Sequence, residues 1–167
     1  MSFTTETTRS VVVSMPLVER MFLWAIRTWS ASHADLTAVW WSLDRAFAHE
    51  GMHAALPPFH QLMSTLFAGL QRWPDIRCVA CAHVGRDEAN LLRTLAALQD
   101  GNELGARAIL NDLVLRSAAR LACAHATECV RIVRAAGLHF DSERDKTCAF
   151  EPAPDVFQLC RPSGLSM

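Results

Sequence analysis

A chain of 167 residues with 51% apolar residues, 20% charged residues and a net charge of −1 is one ordinary domain. It can bury about two thirds of the surface its unfolded form exposes, so neither a disulfide nor a metal is required for folding. The near-neutral balance argues against global attraction to nucleic acid or acidic membranes, and no apolar run approaches the roughly 18 residues of a spanning helix.

The mean hydropathy of +0.13, combined with so few charges, leaves a sparingly polar exterior, which favours a homodimer or a standing protein partner. Met1 to Ser14 has no basic stretch followed by a long apolar core, so a cytoplasmic location is expected. The six cysteines, Cys78, Cys81, Cys123, Cys129, Cys148 and Cys160, do not read as a disulfide scaffold. Two of them fall in a strongly helical stretch, and the chain is long and rich in Leu and Ala, so free thiols are expected.

In chain order, residues 1–13 are expected to be disordered, residues 14–140 to form the helical domain and residues 141–167 a polar, Pro-rich tail. A first helix is predicted from Ser14 as N-cap, with Pro16 in the first turn and apolar residues running to Trp29. Glu19, Arg20 and Arg27 share a narrow polar wedge on its helical wheel. A second helix is predicted from Asp35 as N-cap to about Glu50, with Leu36, Val39, Trp40, Leu43 and Phe47 in one stripe and Trp41 outside it. Gly51 stops it. Pro57 and Pro58 open a third helix, whose Phe59, Leu62, Met63, Leu66, Phe67 and Leu70 form one face and which ends at Trp73-Pro74.

The segment from about 76 to 86 has no helical periodicity and is expected to be extended or looped. Asp87 and Glu88 then suit the positive end of a new helix, and Leu91, Leu92, Leu95 and Leu98 continue it. Asp100-Gly101-Asn102 turns the chain into a short helix to Leu110, completing an αα-hairpin. A last helix is predicted from about Asp112 to Ala136, with Leu115, Ala119, Ala122, Ala126, Val130 and Val133 inward. The expected architecture is all-α: a single-domain bundle of five or six helices.

Four features invite a chemical reading. His49-Glu50-Gly51-Met52-His53 matches HExxH, in which two histidines one helical turn apart hold zinc and the glutamate activates water. Gly51 should end the helix between them, which favours solvated histidines at a helix end. Cys78 and Cys81, with His83 beside them, supply two or three zinc ligands, and His125 and Cys129 on the last helix could complete the set. A redox CxxC is less favoured than zinc, because that motif normally sits at a helix start after a strand and this one lies in a loop; the plainer reading is two small apolar side chains under a loop. Arg116, Arg120, Arg131 and Arg134 line one face of the last helix, without the interleaved aromatics of a nucleic-acid binder, so a solvated face is expected. Trp24, Trp29 and Trp41 are the candidate interface residues.

Arg27-Thr28-Trp29 closing an early apolar helix, the loop from Cys78 to Gly85, and Arg86-Asp87-Glu88 opening a Leu-rich helix together resemble a family of small uncharacterised bacterial helical proteins. The resemblance spans about Met15 to Leu138. It implies an all-helical fold and no particular activity. In that family a Ser or Thr stands at the position of Gly85, where it would complete a capping box with Glu88, and this chain must cap without it. The sequence therefore points to a small binding or regulatory protein rather than an enzyme. The alternative is a zinc protein, structural at Cys78 and Cys81 or hydrolytic at His49, Glu50 and His53.

Overall fold

The computed structural model describes residues 11–142; the expectations for the first ten residues and for the tail from 143, with Cys148 and Cys160, lie outside them. The described residues form six α-helices: α1 (Leu17–Ala31), α2 (Thr37–His49), α3 (Leu56–Ala68), α4 (Arg86–Gln99), α5 (Glu103–Leu110) and α6 (Arg116–Ala135). The described residues contain no strand, only an isolated antiparallel bridge between Leu70 and Val114. No described helix is long and apolar enough to cross a membrane.

The core is built on Phe22, which is fully buried at the centre of α1. Its ring meets Phe47 of α2, Phe59 of α3 and Phe140 after α6 edge-on, at centroid distances of 5.7, 5.9 and 5.2 Å, the geometry that aromatic quadrupoles favour. The remaining face of α6 presents Ala119, Ala122, Cys123, Ala126 and Cys129 to the core. These small side chains allow α3 to lie close against it. The approach is tightest at Gly69, where a Cβ would collide with the Cβ of Ala118.

Helix ends follow local chemistry, with corrections to the expected starts. α1 begins after Pro16 rather than at Ser14, because Val11–Ser14 forms a separate 3-10 turn. α2 begins at Thr37, and Asp35 acts one residue ahead of the cap position: its Oδ1 accepts the Thr37 N–H at 3.0 Å. Those hydrogen bonds from Thr37, the backbone one foremost, hold the Asp35 carboxyl below its usual range. At the other end Gly51 adopts a φ of 70°, and the Met52 N–H returns to the Phe47 carbonyl at 2.8 Å, so the chain leaves the helix there.

α3 stops at Ala68, five residues before Trp73-Pro74. Past Gly69 the backbone turns to a different partner: Leu115 N–H bonds the Gly69 carbonyl at 2.9 Å and Gln71 N–H bonds the Leu113 carbonyl at 3.0 Å. The same pairing consumes residues 111–115, so α6 starts at Arg116, later than expected, and Leu115 is exposed rather than inward. The non-helical connection between α3 and α4 is accordingly longer than the expected 76–86 segment. The α4–α5 hairpin forms as expected and packs on α6. Its turn is fixed by Asn102, whose Oδ1 accepts the Gly105 N–H at 2.9 Å.

Candidate functional site

A long irregular connection exposes many backbone polar groups, and each must find a partner if it is buried. Here the partners are two adjacent carboxylates in the first turn of α4. Glu88 is fully buried, and Arg27, from the middle of α1, is 2% exposed. Arg27 Nε donates to Glu88 Oε1 at 2.7 Å and Nη2 to Oε2 at 2.9 Å. Each Glu88 oxygen also accepts a backbone N–H, that of Arg77 at 2.9 Å on Oε1 and that of Gly85 at 2.6 Å on Oε2. The carboxylate thus has all its lone-pair positions filled. Arg27 carries the remaining connections, donating through Nη1 to the Cys81 carbonyl and through Nη2 to the His83 carbonyl, both at 2.7 Å.

Asp87 repeats the device on the opposite side. Its Oδ1 and Oδ2 each accept from Arg72 at 2.7 Å, and Oδ2 also takes the Asp75 N–H at 2.6 Å. Burial by itself would push the Asp87 carboxyl up. The hydrogen bonds from Arg72 and Asp75, with the charges of Arg72 and Arg86, outweigh that and hold it below the usual carboxylate range. The bond to Asp87 correspondingly raises the Arg72 guanidinium above its ordinary value. Arg72 reaches on to Asp112 Oδ2 at 2.9 Å, where Arg86 joins at 3.3 Å. The connection between α3 and α4 is therefore bolted to α1, to α4 and to the turn before α6.

This network corrects the sequence reading of α1. Glu19 and Arg27 are buried, at 3% and 2% exposure, rather than facing solvent with Arg20. Glu19 Oε1 accepts the Asp141 N–H at 2.7 Å and fixes the chain after α6 against α1. The cap at Gly85 is made by backbone, as its sequence requires: it has no side-chain oxygen to accept the Glu88 N–H, but its own N–H donates to Glu88 Oε2, the other half of the box. A Cβ at this position would collide with the Asp75 carbonyl.

The candidate metal ligands do not converge. Cys129 is fully buried with its Sγ 3.9 Å from the Ala55 carbonyl, whereas Cys78 is exposed and Cys81 half-buried. His83 is exposed and His125 half-buried on α6. Among the described residues no three His, Cys, Asp or Glu side chains are grouped to hold a metal ion. The HExxH string is divided at Gly51: His49 ends α2 and pairs with Glu50 at 2.9 Å, while His53 lies in a 3-10 turn and bonds Asp44 at 2.8 Å. Arg116, Arg120, Arg131 and Arg134 are exposed, and Arg131 pairs with Glu128 of its own helix at 2.6 Å.

The three candidate interface tryptophans occupy three environments. Trp29 is 4% exposed and belongs to the core, its indole N–H donating to His60 Nδ1 at 3.0 Å; this removes it from any interface. Trp41 is exposed on the outer side of α2 beneath the Arg45 guanidinium, 4.6 Å from its ring. Trp40, expected in the buried stripe, is instead partly exposed with its edge against His60. Trp24 is half-buried and forms a ridge between two depressions. One, of about 480 Å³, lies against α2 and is lined by Leu17, Arg20, Met21, Ala46, His49 and Glu50. The other, of about 290 Å³, lies against the loop at Val79 to Ala82.

Compared with known proteins, the chain matches no family model, no curated sequence and no solved structure.

Proposed function

We propose that the protein is a small helical binding protein that works as a homodimer, a second copy docking along the outer face of α1. The observation that carries this reading is the composition of the larger depression. It is lined by the apolar Leu17, Met21, Trp24 and Ala46 together with Arg20 of α1 and with His49 and Glu50 at the end of α2. Leu17 is 47% exposed, and Arg20 makes no ion pair among the described residues. An apolar patch that carries one charge of each sign on two different elements can be complementary to itself under twofold rotation, the requirement of an isologous contact. Arg20 of each protomer then faces Glu50 of the other, and Trp24 supplies the central aromatic anchor.

Sedimentation equilibrium tests this by charge exchange. The wild-type protein is expected to be dimeric, and Arg20→Glu and Glu50→Arg should each weaken the dimer by at least about tenfold, since each sets like charges together. The double variant should recover much of the loss. A wild-type chain that stays monomeric at about 0.1 mM, where even a weak dimer assembles, rules the proposal out, as does a double variant no better than either single one.

A further inference from the structure

Cys78 and Cys81 stand at the two ends of a β-turn whose central residues are Val79 and Ala80, closed by the Cys81 N–H on the Cys78 carbonyl at 3.0 Å. In such a turn the end Cα atoms lie within about 7 Å of each other, which overlaps the range that a disulfide spans. What distinguishes this pair from an ordinary surface CxxC is how the turn is held. The residue before it, Arg77, gives its N–H to Glu88, and the residue ending it, Cys81, gives its carbonyl to Arg27. Both ends of the turn are thus anchored to the two members of one buried ion pair, and the thiols are presented from a fixed frame. Cys78 is exposed, and Cys81 opens on the depression of about 290 Å³ beside Trp24. Cys123 and Cys129 are buried instead.

We propose that Cys78 and Cys81 form a thiol–disulfide exchange site whose substrates are disulfides of low-molecular-weight thiols. The Cys78 thiolate attacks one sulfur of the substrate; its S–S bond breaks, and the departing thiolate takes a proton from solvent. Cys81 then loses its proton and attacks Cys78 Sγ in the mixed disulfide, expelling the second thiolate. Two protein thiols are oxidised to one internal disulfide, and one substrate disulfide is reduced to two thiols. Pre-orientation by Arg27 and Glu88 favours the second step over a competing attack by free thiol.

The 167-residue chain is equilibrated with reduced and oxidised glutathione at a series of ratios, quenched by alkylation and digested with trypsin. Cleavage after Arg77 and Arg86 releases residues 78–86, which contain no other cysteine. The expected result is that this peptide loses two hydrogen atoms and resists alkylation, and that Cys81→Ser traps glutathione on Cys78. The equilibrium constant for the internal bond should fall at least about tenfold when the same exchange is run in denaturant, because the turn is then no longer held. The proposal is overturned if wild-type protein accumulates the Cys78 mixed disulfide, if both thiols remain alkylatable at every ratio, or if denaturant leaves the constant unchanged.

Discussion

Arg27 and Glu88, 61 positions apart in the chain, meet in the interior through two hydrogen bonds of 2.7 and 2.9 Å, with at most 2% of either side chain exposed. The pair is more than a link between α1 and α4, because four backbone groups of the intervening loop complete its coordination. Removing one partner leaves an uncompensated buried charge and strands those groups as well.

Glu88→Gln or Arg27→Met should therefore destabilise the fold by about 3–5 kcal/mol. For a domain of this size that is a fall in melting temperature of roughly 6–20 °C. Thermal denaturation followed by circular dichroism measures it. A loss below about 1 kcal/mol, the worth of an ordinary exposed pair, would show that the loop does not depend on this contact.

Asp87 gives a pH-dependent counterpart. Its carboxyl is held below the ordinary range, burial being overcome by Arg72 and the Asp75 N–H. A depressed carboxylate stabilises the fold fully above the unfolded value of about 3.9 and loses that contribution as pH falls through the folded value. Asp87→Asn should cost about 1–3 kcal/mol near neutrality, less than Glu88→Gln, because the Arg72 side chain is 32% exposed and regains water. The gap in melting temperature between wild type and Asp87→Asn should narrow as pH falls below the unfolded carboxylate value of about 3.9 and on through the depressed folded value. A gap that stays constant would place the effect outside the ionisation of Asp87.

Gly85 tests steric space against capping. Gly85→Ser would add a side chain able to cap α4, but Ser exceeds Gly at an N-cap by only a few tenths of a kcal/mol. The new Cβ meets the Asp75 carbonyl, and crowding a packed site costs about 1–3 kcal/mol. The substitution should therefore destabilise. Urea denaturation showing a gain would mean that the loop yields more easily than its hydrogen bonds suggest.

The helical bundle was legible where one residue's own pattern decides the outcome. Leu43 and Phe47, or Phe59, Leu62, Met63 and Leu66, repeat at helical spacing and are buried as that spacing implies. Gly51 and Gly101 stop helices and adopt positive φ. The starts of α1 and α2 missed narrowly for local reasons, a separate 3-10 turn over Val11–Ser14 and the Thr37 N–H taken by Asp35, whereas the larger misses depend on distant partners. Arg27 looks solvent-facing on a wheel because nothing local announces Glu88. Its one sequence signal is an arginine set between Ile26 and Trp29 in a nearly all-apolar helix. The end of α3 at Gly69 was hidden because its cause is the pairing of Leu70 with Val114 across 44 positions. Trp29 looked available because aromatic residues suit both cores and interfaces, and only His60 and Phe67 beside it decide between them.

Cys129 and Cys78 should differ widely in reactivity. Burial, reinforced by the charge of Glu128, pushes the Cys129 thiol up to about 12, and burial with Glu103 nearby pushes Cys123 to about 11. Since the thiolate is the nucleophile, both should resist a water-soluble alkylating agent at pH 8 in the folded protein, while the exposed Cys78 should label much faster. The same shifts fix the sign of the alkaline limb. Stability contributed by keeping these thiols neutral is complete below the unfolded value of about 8.5 and is lost as pH rises toward the folded values. Peptide mapping after timed alkylation measures the first effect and thermal denaturation from pH 8 to 10 the second. Equal labelling of Cys78 and Cys129 in the folded state would mean that the core around Ala55 opens far more readily than its packing implies.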